Sequence, residues 1–265
     1  MQLQENARQL AKKYKQPILI TLLYLSLYMS IRDLMIEMLP LFAIAIFLLT
    51  ISIRHTEVKL GLDIVEENKF YPPQQAMCGI KRVKELFSTY FWSELIIFIL
   101  LTACLSGLVL GMYPYLQSLY QVLEAELSYG IDTTLIQIFN LLIMVANVGI
   151  VISEIVYNTF FFSAPYILET KKIKGLKVIK EAYRLQKGHF FEIAKTFSSY
   201  YAFMLIFACL SFLASFYLSE TLLYSAVDIM ISVIAILVYE SQYVVCKALL
   251  YKKLSQEEDY DFSNF

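Results

Sequence analysis

Charge is scarce in this chain. Of its 265 residues 17% are charged and 58% are hydrophobic, whereas a soluble domain carries about 25% charged residues. The mean hydropathy is +0.60. The shortage is uneven, because long apolar blocks alternate with short charged ones, and that pattern excludes an ordinary soluble domain. A formal net charge of −1 leaves no global field to attract nucleic acid or an acidic partner. Cysteine is also sparse. Cys78, Cys104, Cys209 and Cys246 form no CxxC pair or tight cluster, which excludes a disulfide framework and a cysteine metal site. Cys104 and Cys209 lie inside apolar blocks, where cysteine behaves as a small hydrophobe. The two histidines, His55 and His189, sit among charged residues with no second ligand at metal spacing, so both read as solvated loop histidines.

Enzyme signatures are missing as well. The sequence has no HExxH, no GxSxG, no nucleotide-binding loop and no paired carboxylates beside a histidine. Glu66-Glu67 lacks the downstream arginine and the intramembrane histidines of a membrane endopeptidase. The coupling motifs of ABC permeases are not evident. No catalytic residue, cofactor or metal is expected.

What is present is a series of apolar blocks at 17–31, 38–53, 91–113, 134–162, 197–218 and 222–246. The last four reach the roughly 20 residues that a helix needs to cross a bilayer. The first two are shorter, with a turn expected at Arg32-Asp33 and Pro40 inside the second. Basic residues decide between spanning and not spanning. With six spans and a cytosolic N-terminus, every Lys and Arg except Arg32 falls on the cytosolic side, as the positive-inside rule requires. The start of the chain is basic and then apolar, but it shows no small-x-small cleavage pattern and reads as an uncleaved first span. The expected fold is all-α: a single membrane domain over 1–265 with six transmembrane helices and both termini in the cytosol. The segment 114–133 has no Lys or Arg, and Leu116, Leu119, Leu123 and Leu127 recur at helical spacing. It is expected as a short helix in the outer interface. The acidic stretch from Gln256 to Phe265 is expected to be a mobile tail.

An internal repeat accompanies this layout. Gly79-Ile80-Lys81-Arg82-Val83-Lys84-Glu85-Leu86-Phe87 matches Gly175-Leu176-Lys177-Val178-Ile179-Lys180-Glu181-Ala182-Tyr183, with four identities. Each copy precedes a span, and those spans share Ala103-Cys104-Leu105-Ser106 and Ala208-Cys209-Leu210-Ser211. The repeat predicts two basic cytosolic helices, at about 76–90 and 174–187, in parallel orientation. Ile80, Val83, Phe87 and Tyr90 share one face of the first, and Leu176, Ile179 and Tyr183 share one face of the second. Lys81, Arg82, Lys84, Lys177, Lys180 and Lys187 project beside them, an arrangement suited to the anionic inner leaflet.

The fourth block carries Gln137, Asn140, Asn147, Glu154 and Asn158 on one helical stripe roughly 32 Å long. A polar stripe cannot face lipid, so it faces protein or water. It is either glue between helices, at about 0.6–2 kcal/mol per hydrogen bond, or the wall of a path for a polar solute. Asp228 and Glu240 add acids in the last block, with Lys247 or Lys195 as candidate partners for Glu240. Acids and amides outnumber bases in the spans, which favours a cation, a proton or a neutral species over an anion. Ala103, Gly107 and Gly111 recur every four residues, spacing that permits close helix contact, first within the chain and second between copies.

The run Ser163-Ala164-Pro165-Tyr166-Ile167-Leu168, with Gly175 to Ala182 and Leu185-Gln186-Lys187-Gly188-His189, resembles domain of unknown function family 975. These are polytopic membrane proteins of Gram-positive bacteria, themselves similar to the membrane portion of certain glycerophosphodiester phosphodiesterases. Ala182 stands where that family has a serine, and the span after the motif lacks the usual tryptophan. The resemblance implies a membrane fold and a bacterial plasma membrane, and no reaction. Residues and resemblance together lead to the expectation of a non-enzymatic envelope component that binds membrane lipids or a membrane or cytosolic protein partner, and no nucleic acid. The other reading is a transporter of a small solute or lipid, or a transporter accessory.

Overall fold

The computed structural model describes residues 2–38, 43–67, 79, 82–126, 148–218 and 222–262. Among them every regular element is helical. The helices are α1 (Gln2–Lys13), α2 (Lys15–Met38), α3 (Ala43–Val65), α4 (Val83–Glu126) and α5 (Val148–Phe161). They continue with α6 (Ala164–Thr170), α7 (Leu176–Gln186), α8 (Phe190–Leu218), α9 (Leu222–Ala235), a π turn (Ile236–Glu240) and α10 (Ser241–Phe262). Three stretches are long and apolar enough to cross a membrane: Val83–Leu108, Phe190–Ser211 and Ile229–Glu257. A fourth follows if α5 and α6, bent by 45°, count as one. The bend falls where Pro165, in the first turn of α6, has no N–H to continue the ladder.

The helices run further than the apolar blocks that seeded them. α2 passes through Arg32-Asp33 without the expected turn and ends at Met38. α3 carries on twelve residues past the expected end of the second span, to Val65. α4 runs unbroken for 44 residues with Pro114 inside it, so neither the expected basic helix at 76–90 nor the expected interfacial helix beyond 114 is a separate element. The expected mobile tail is helical through Phe262. The physical reason is common to all four. Leu, Lys, Glu, Gln and Met are good helix formers whether or not they are apolar, so a change of polarity marks a change of solvent and not the end of a helix.

The core lies toward one end of the bundle. On α4, Leu86 and Tyr90 are buried, while Phe98, Leu110 and Tyr113 are exposed. On α8, Ile193 and Phe197 are buried, while Ile206 and Leu213 are exposed. After α9, with Ile229 and Met230 exposed, buried residues recur from Ala235 to Leu254, among them Ile236, Tyr239, Val244 and Leu250. The packed end is therefore the end that carries the basic segments, and the exposed apolar end is the kind of surface that lipid covers. α3 is the centre of the packed end. Ile51, Ile53, Leu60, Leu62 and Ile64 are buried on several faces, because α2, α4, α6 and α10 all pack on it. α1 lays Ala7 and Ala11 against α10, and the Gln4 side-chain amide donates to the Thr196 carbonyl at 2.7 Å.

Small residues set two of these contacts, and not where the four-residue spacing predicted. A Cβ on Gly61 of α3 would meet the Val244 carbonyl oxygen at 2.9 Å and Ala248 Cβ at 3.1 Å. A Cβ on Gly149 of α5 would meet Leu105 of α4 at 2.8 Å. A Cβ on Gly107 or Gly111 would meet no described atom of another element within 4 Å, and Ala103 is exposed beside them. The expected packing of that stripe within the chain is therefore not made among the described residues. Gly61→Leu should lower the unfolding midpoint in detergent by overpacking the α3–α10 contact, a loss of about 1–3 kcal/mol. Gly107→Leu should leave the midpoint no lower than wild type. Fluorescence of Trp92, the single tryptophan, reads both.

Candidate functional site

Three helices meet at Arg54. This residue sits on α3 just beyond the apolar block, and its guanidinium donates through Nη1 to Glu94 Oε1 of α4 at 2.5 Å. Through Nη2 it donates to Glu154 Oε1 of α5 at 3.4 Å. The planar fork of arginine suits a two-carboxylate bridge of this kind. All three side chains are about one-third exposed, at 34%, 28% and 33%.

Beside this triad is a cavity of about 270 Å³. Its charged lining is Arg54, Glu57, Glu154, Glu240 and Lys247, and Asn158 is on its wall. The π turn contributes Tyr239 and Glu240, and the first turns of α10 contribute Tyr243 and Lys247. Wider i→i+5 turns of this type occur often at functional sites. The Lys247 ammonium lies 4.4 Å from the centroid of the Tyr243 ring, a cation–π contact. Tyr166 also lines the cavity, is 1% exposed, and its hydroxyl has no hydrogen-bond partner among the described residues.

The polar stripe of the fourth block is thus placed in part. Glu154 and Asn158 face the same cavity, and the Asn158 amide donates to the Glu154 carbonyl one turn back at 2.9 Å. Gln137, Asn140 and Asn147 lie outside the described residues. Asp228 falls on α9, and its side chain is outside the described set. Glu240 reaches the cavity, but neither expected partner pairs with it. Lys247 shares the lining while resting on Tyr243, and Lys195 is exposed on α8. The excess of acids over bases read from the spans is smaller in space than in sequence, because Arg54 and Lys247 both enter the site. Arg54 lies just past the second apolar block in sequence, and the continuation of α3 keeps it on a helix packed against α4 and α5.

His55 is corrected for the same reason. It is not a solvated loop residue. Its side chain is fully buried on α3, with Nε2 3.2 Å from Glu169 Oε2. Glu169 also accepts from Arg82 Nη1 at 2.6 Å, and Tyr90 Oη lies 3.5 Å from His55 Nδ1. This knot ties α3 to α6 and to the start of α4. His189, by contrast, is half-exposed in the turn before α8, 3.6 Å from Glu192.

The two matching nonamers differ in their surroundings. In the second, Gly175 adopts φ +67° and caps α7, a conformation that favours glycine. Its N–H donates to Thr89 Oγ1 at 2.9 Å. α7 buries Val178, Ile179, Ala182 and Leu185, while Leu176 and Tyr183 are exposed. The expected face is therefore split, with Ile179 in the core and the other two outside it. Lys177, Lys180 and Lys187 are exposed. In the first copy, Arg82 is held by Glu85 and Glu169, Lys84 is exposed, and Lys81 is outside the described residues. Burial pushes the Glu181 carboxyl up, but Lys171 and Arg184, at 2.8 and 2.7 Å, outweigh it and hold the group below its ordinary range. Stability from that contact is present above the ordinary carboxylate range and is lost as pH falls through the lowered value.

Among the described residues no group of three His, Cys, Asp or Glu side chains is placed to hold a metal ion. The arrangement is that of a recess with mixed charge and aromatic walls, able to hold a small polar group. No family model, curated protein or solved structure matches the chain.

Arg54→Met should leave Glu94 and Glu154 facing each other without a cation. Removing one partner of a sheltered ion cluster costs more than removing an exposed one. The unfolding midpoint should therefore drop further than for Lys13→Met, which breaks the exposed 2.8 Å pair with Glu67. Equal shifts in the two variants would show that the triad does not hold α3, α4 and α5 together.

Proposed function

We propose that the chain is a non-enzymatic integral component of a bacterial plasma membrane. It has six spans and both termini in the cytosol, and it acts by binding lipids of the anionic inner leaflet or a protein partner of the envelope. The observation that carries this reading is α7. Its buried face anchors it to the packed end of the bundle, while Lys177, Lys180 and Lys187 are left exposed beside Leu176 and Tyr183, which are 42% and 45% exposed. Basic residues flanking exposed apolar ones suit a membrane surface or a docking protein. The sidedness of Lys and Arg along the sequence, and the resemblance of 163–189 to domain of unknown function family 975, support the membrane placement. The two matching nonamers support a parallel duplication.

Affinity purification in mild detergent, with mass spectrometry of retained lipids and proteins, tests the reading. Changing Lys84, Lys177, Lys180 and Lys187 to Gln should strip anionic lipid or a stoichiometric partner, at about 1 kcal/mol for each lysine near an anionic surface. An unchanged set of retained molecules counts against it.

A second reading, a transporter of a small solute or lipid or its accessory, draws support from one observation: Glu154 and Asn158 of the polar stripe both face a cavity. It requires flux into liposomes that falls when Glu154 becomes Leu. Equal flux in both proteins for every solute that the wild type moves would sink it.

A further inference from the structure

The cavity beside Arg54 has a charge balance and a wall chemistry that specify an occupant. Its charged lining is Arg54 and Lys247 against Glu57, Glu154 and Glu240. Fully ionised, it carries one more negative than positive charge. Adding Glu94, which bonds Arg54 from outside the lining, raises the excess to two. Arg54 is already engaged by Glu94 and Glu154. Neither Glu57 nor Glu240 makes an ion pair with a described residue, and Lys247 is the one lining cation left to face them. An anion entering this space would add to the imbalance, and a single positive charge reduces it.

The walls narrow the class further. Tyr90, Tyr157, Tyr239 and Tyr243 all line the cavity, and tyrosine rings attract cations to their faces. The cavity already shows this preference in its own lysine, whose ammonium rests on the Tyr243 ring at 4.4 Å. The Tyr166 hydroxyl, on a side chain 1% exposed, offers an unused acceptor. A bare divalent metal would need several converging oxygen ligands, and among the described residues no three carboxylates, histidines or cysteines converge in that way. The volume of about 270 Å³ is close to the lower end of small-molecule sites, roughly 300 Å³.

We infer that this cavity binds an organic ammonium group, a primary amine or a quaternary ammonium, carried either by a free small molecule or by a lipid headgroup. The inference shares with the transport reading the premise that the cavity is a ligand site, and it does not depend on flux.

Calorimetry on the full chain in nanodiscs of phosphatidylglycerol tests it, with choline and ethanolamine as probes. The controls are 3,3-dimethylbutan-1-ol, which has the shape of choline without its charge, and sodium chloride at equal ionic strength. Saturable binding of at least one amine and none of either control is expected. Glu57→Gln and Glu240→Gln should each weaken binding by about tenfold, equivalent to 1.4 kcal/mol, while Glu181→Gln leaves it unchanged. Tyr243→Phe, which keeps the ring, should retain binding. Repeating the titration with phosphatidylethanolamine in the discs separates the two sources. Competition by that lipid assigns the site to a headgroup, and unchanged affinity assigns it to a free amine. Binding of the uncharged analogue as tight as choline, or no saturable binding of either amine, overturns the inference. If a Gln variant does not fold, the comparison of choline with its uncharged analogue on the wild type decides alone. An amine site without flux in liposomes removes the transport reading and leaves this one standing.

Discussion

A guanidinium carried into the packed end of an apolar bundle must find opposite charge or water, because leaving it bare is worth several kcal/mol. Arg54 resolves this by bridging Glu94 and Glu154, and the rest of the arrangement depends on that bridge. It brings α3, α4 and α5 to one point. Glu57, one turn further along α3, faces the same space, as do the side chains of the π turn and Lys247. The knot of His55, Glu169 and Arg82 repeats the solution on another face of α3. Two neighbouring positions on one helix thus recruit carboxylates from α4, α5 and α6.

Such bridges specify more than they stabilise. A partly sheltered ion pair gains little over well-packed apolar side chains, but it penalises every arrangement that separates the partners. For helices long and apolar enough to cross a membrane this matters, since in lipid apolar helices have no hydrophobic preference for one another over acyl chains. Close approach through Gly61 and Gly149 supplies the van der Waals part. The charges supply the register.

Composition and the long apolar runs made the all-helical class legible, and the three stretches long and apolar enough to cross a membrane, on α4, α8 and α9–α10, overlap blocks read from the sequence. α7 was legible from the repeat. What stayed hidden was where helices stop and what charge does inside them. Arg54 and His55 read as lying beyond the second span because polarity changes at residue 54, while the α3 ladder continues to Val65. Glu154 and Asn158 of the seam line one cavity, but Arg54, the partner of Glu154, is a hundred residues away in sequence, and no local pattern joins the two. The π turn left no periodic signal either. Small-residue spacing pointed to Gly107 and Gly111, whereas the close contacts made by glycines within α3 and α5 fall at Gly61 and Gly149, each alone in its helix and invisible to a motif.

The unbroken α4 has a consequence for reach. Its 44 residues span about 66 Å at 1.5 Å per residue. A bilayer with its headgroups is about 40–45 Å thick. An α4 that crosses upright from its basic start at Lys84 therefore stands about 20 Å clear of the opposite surface. The far end holds Glu124 and Glu126 with no Lys or Arg near them. The helix that carries Glu94 to the Arg54 bridge is then also a negatively tipped mast. Pro114, inside that projecting part, removes one ladder hydrogen bond, so any bend of the mast falls far from the ion triad at its foot.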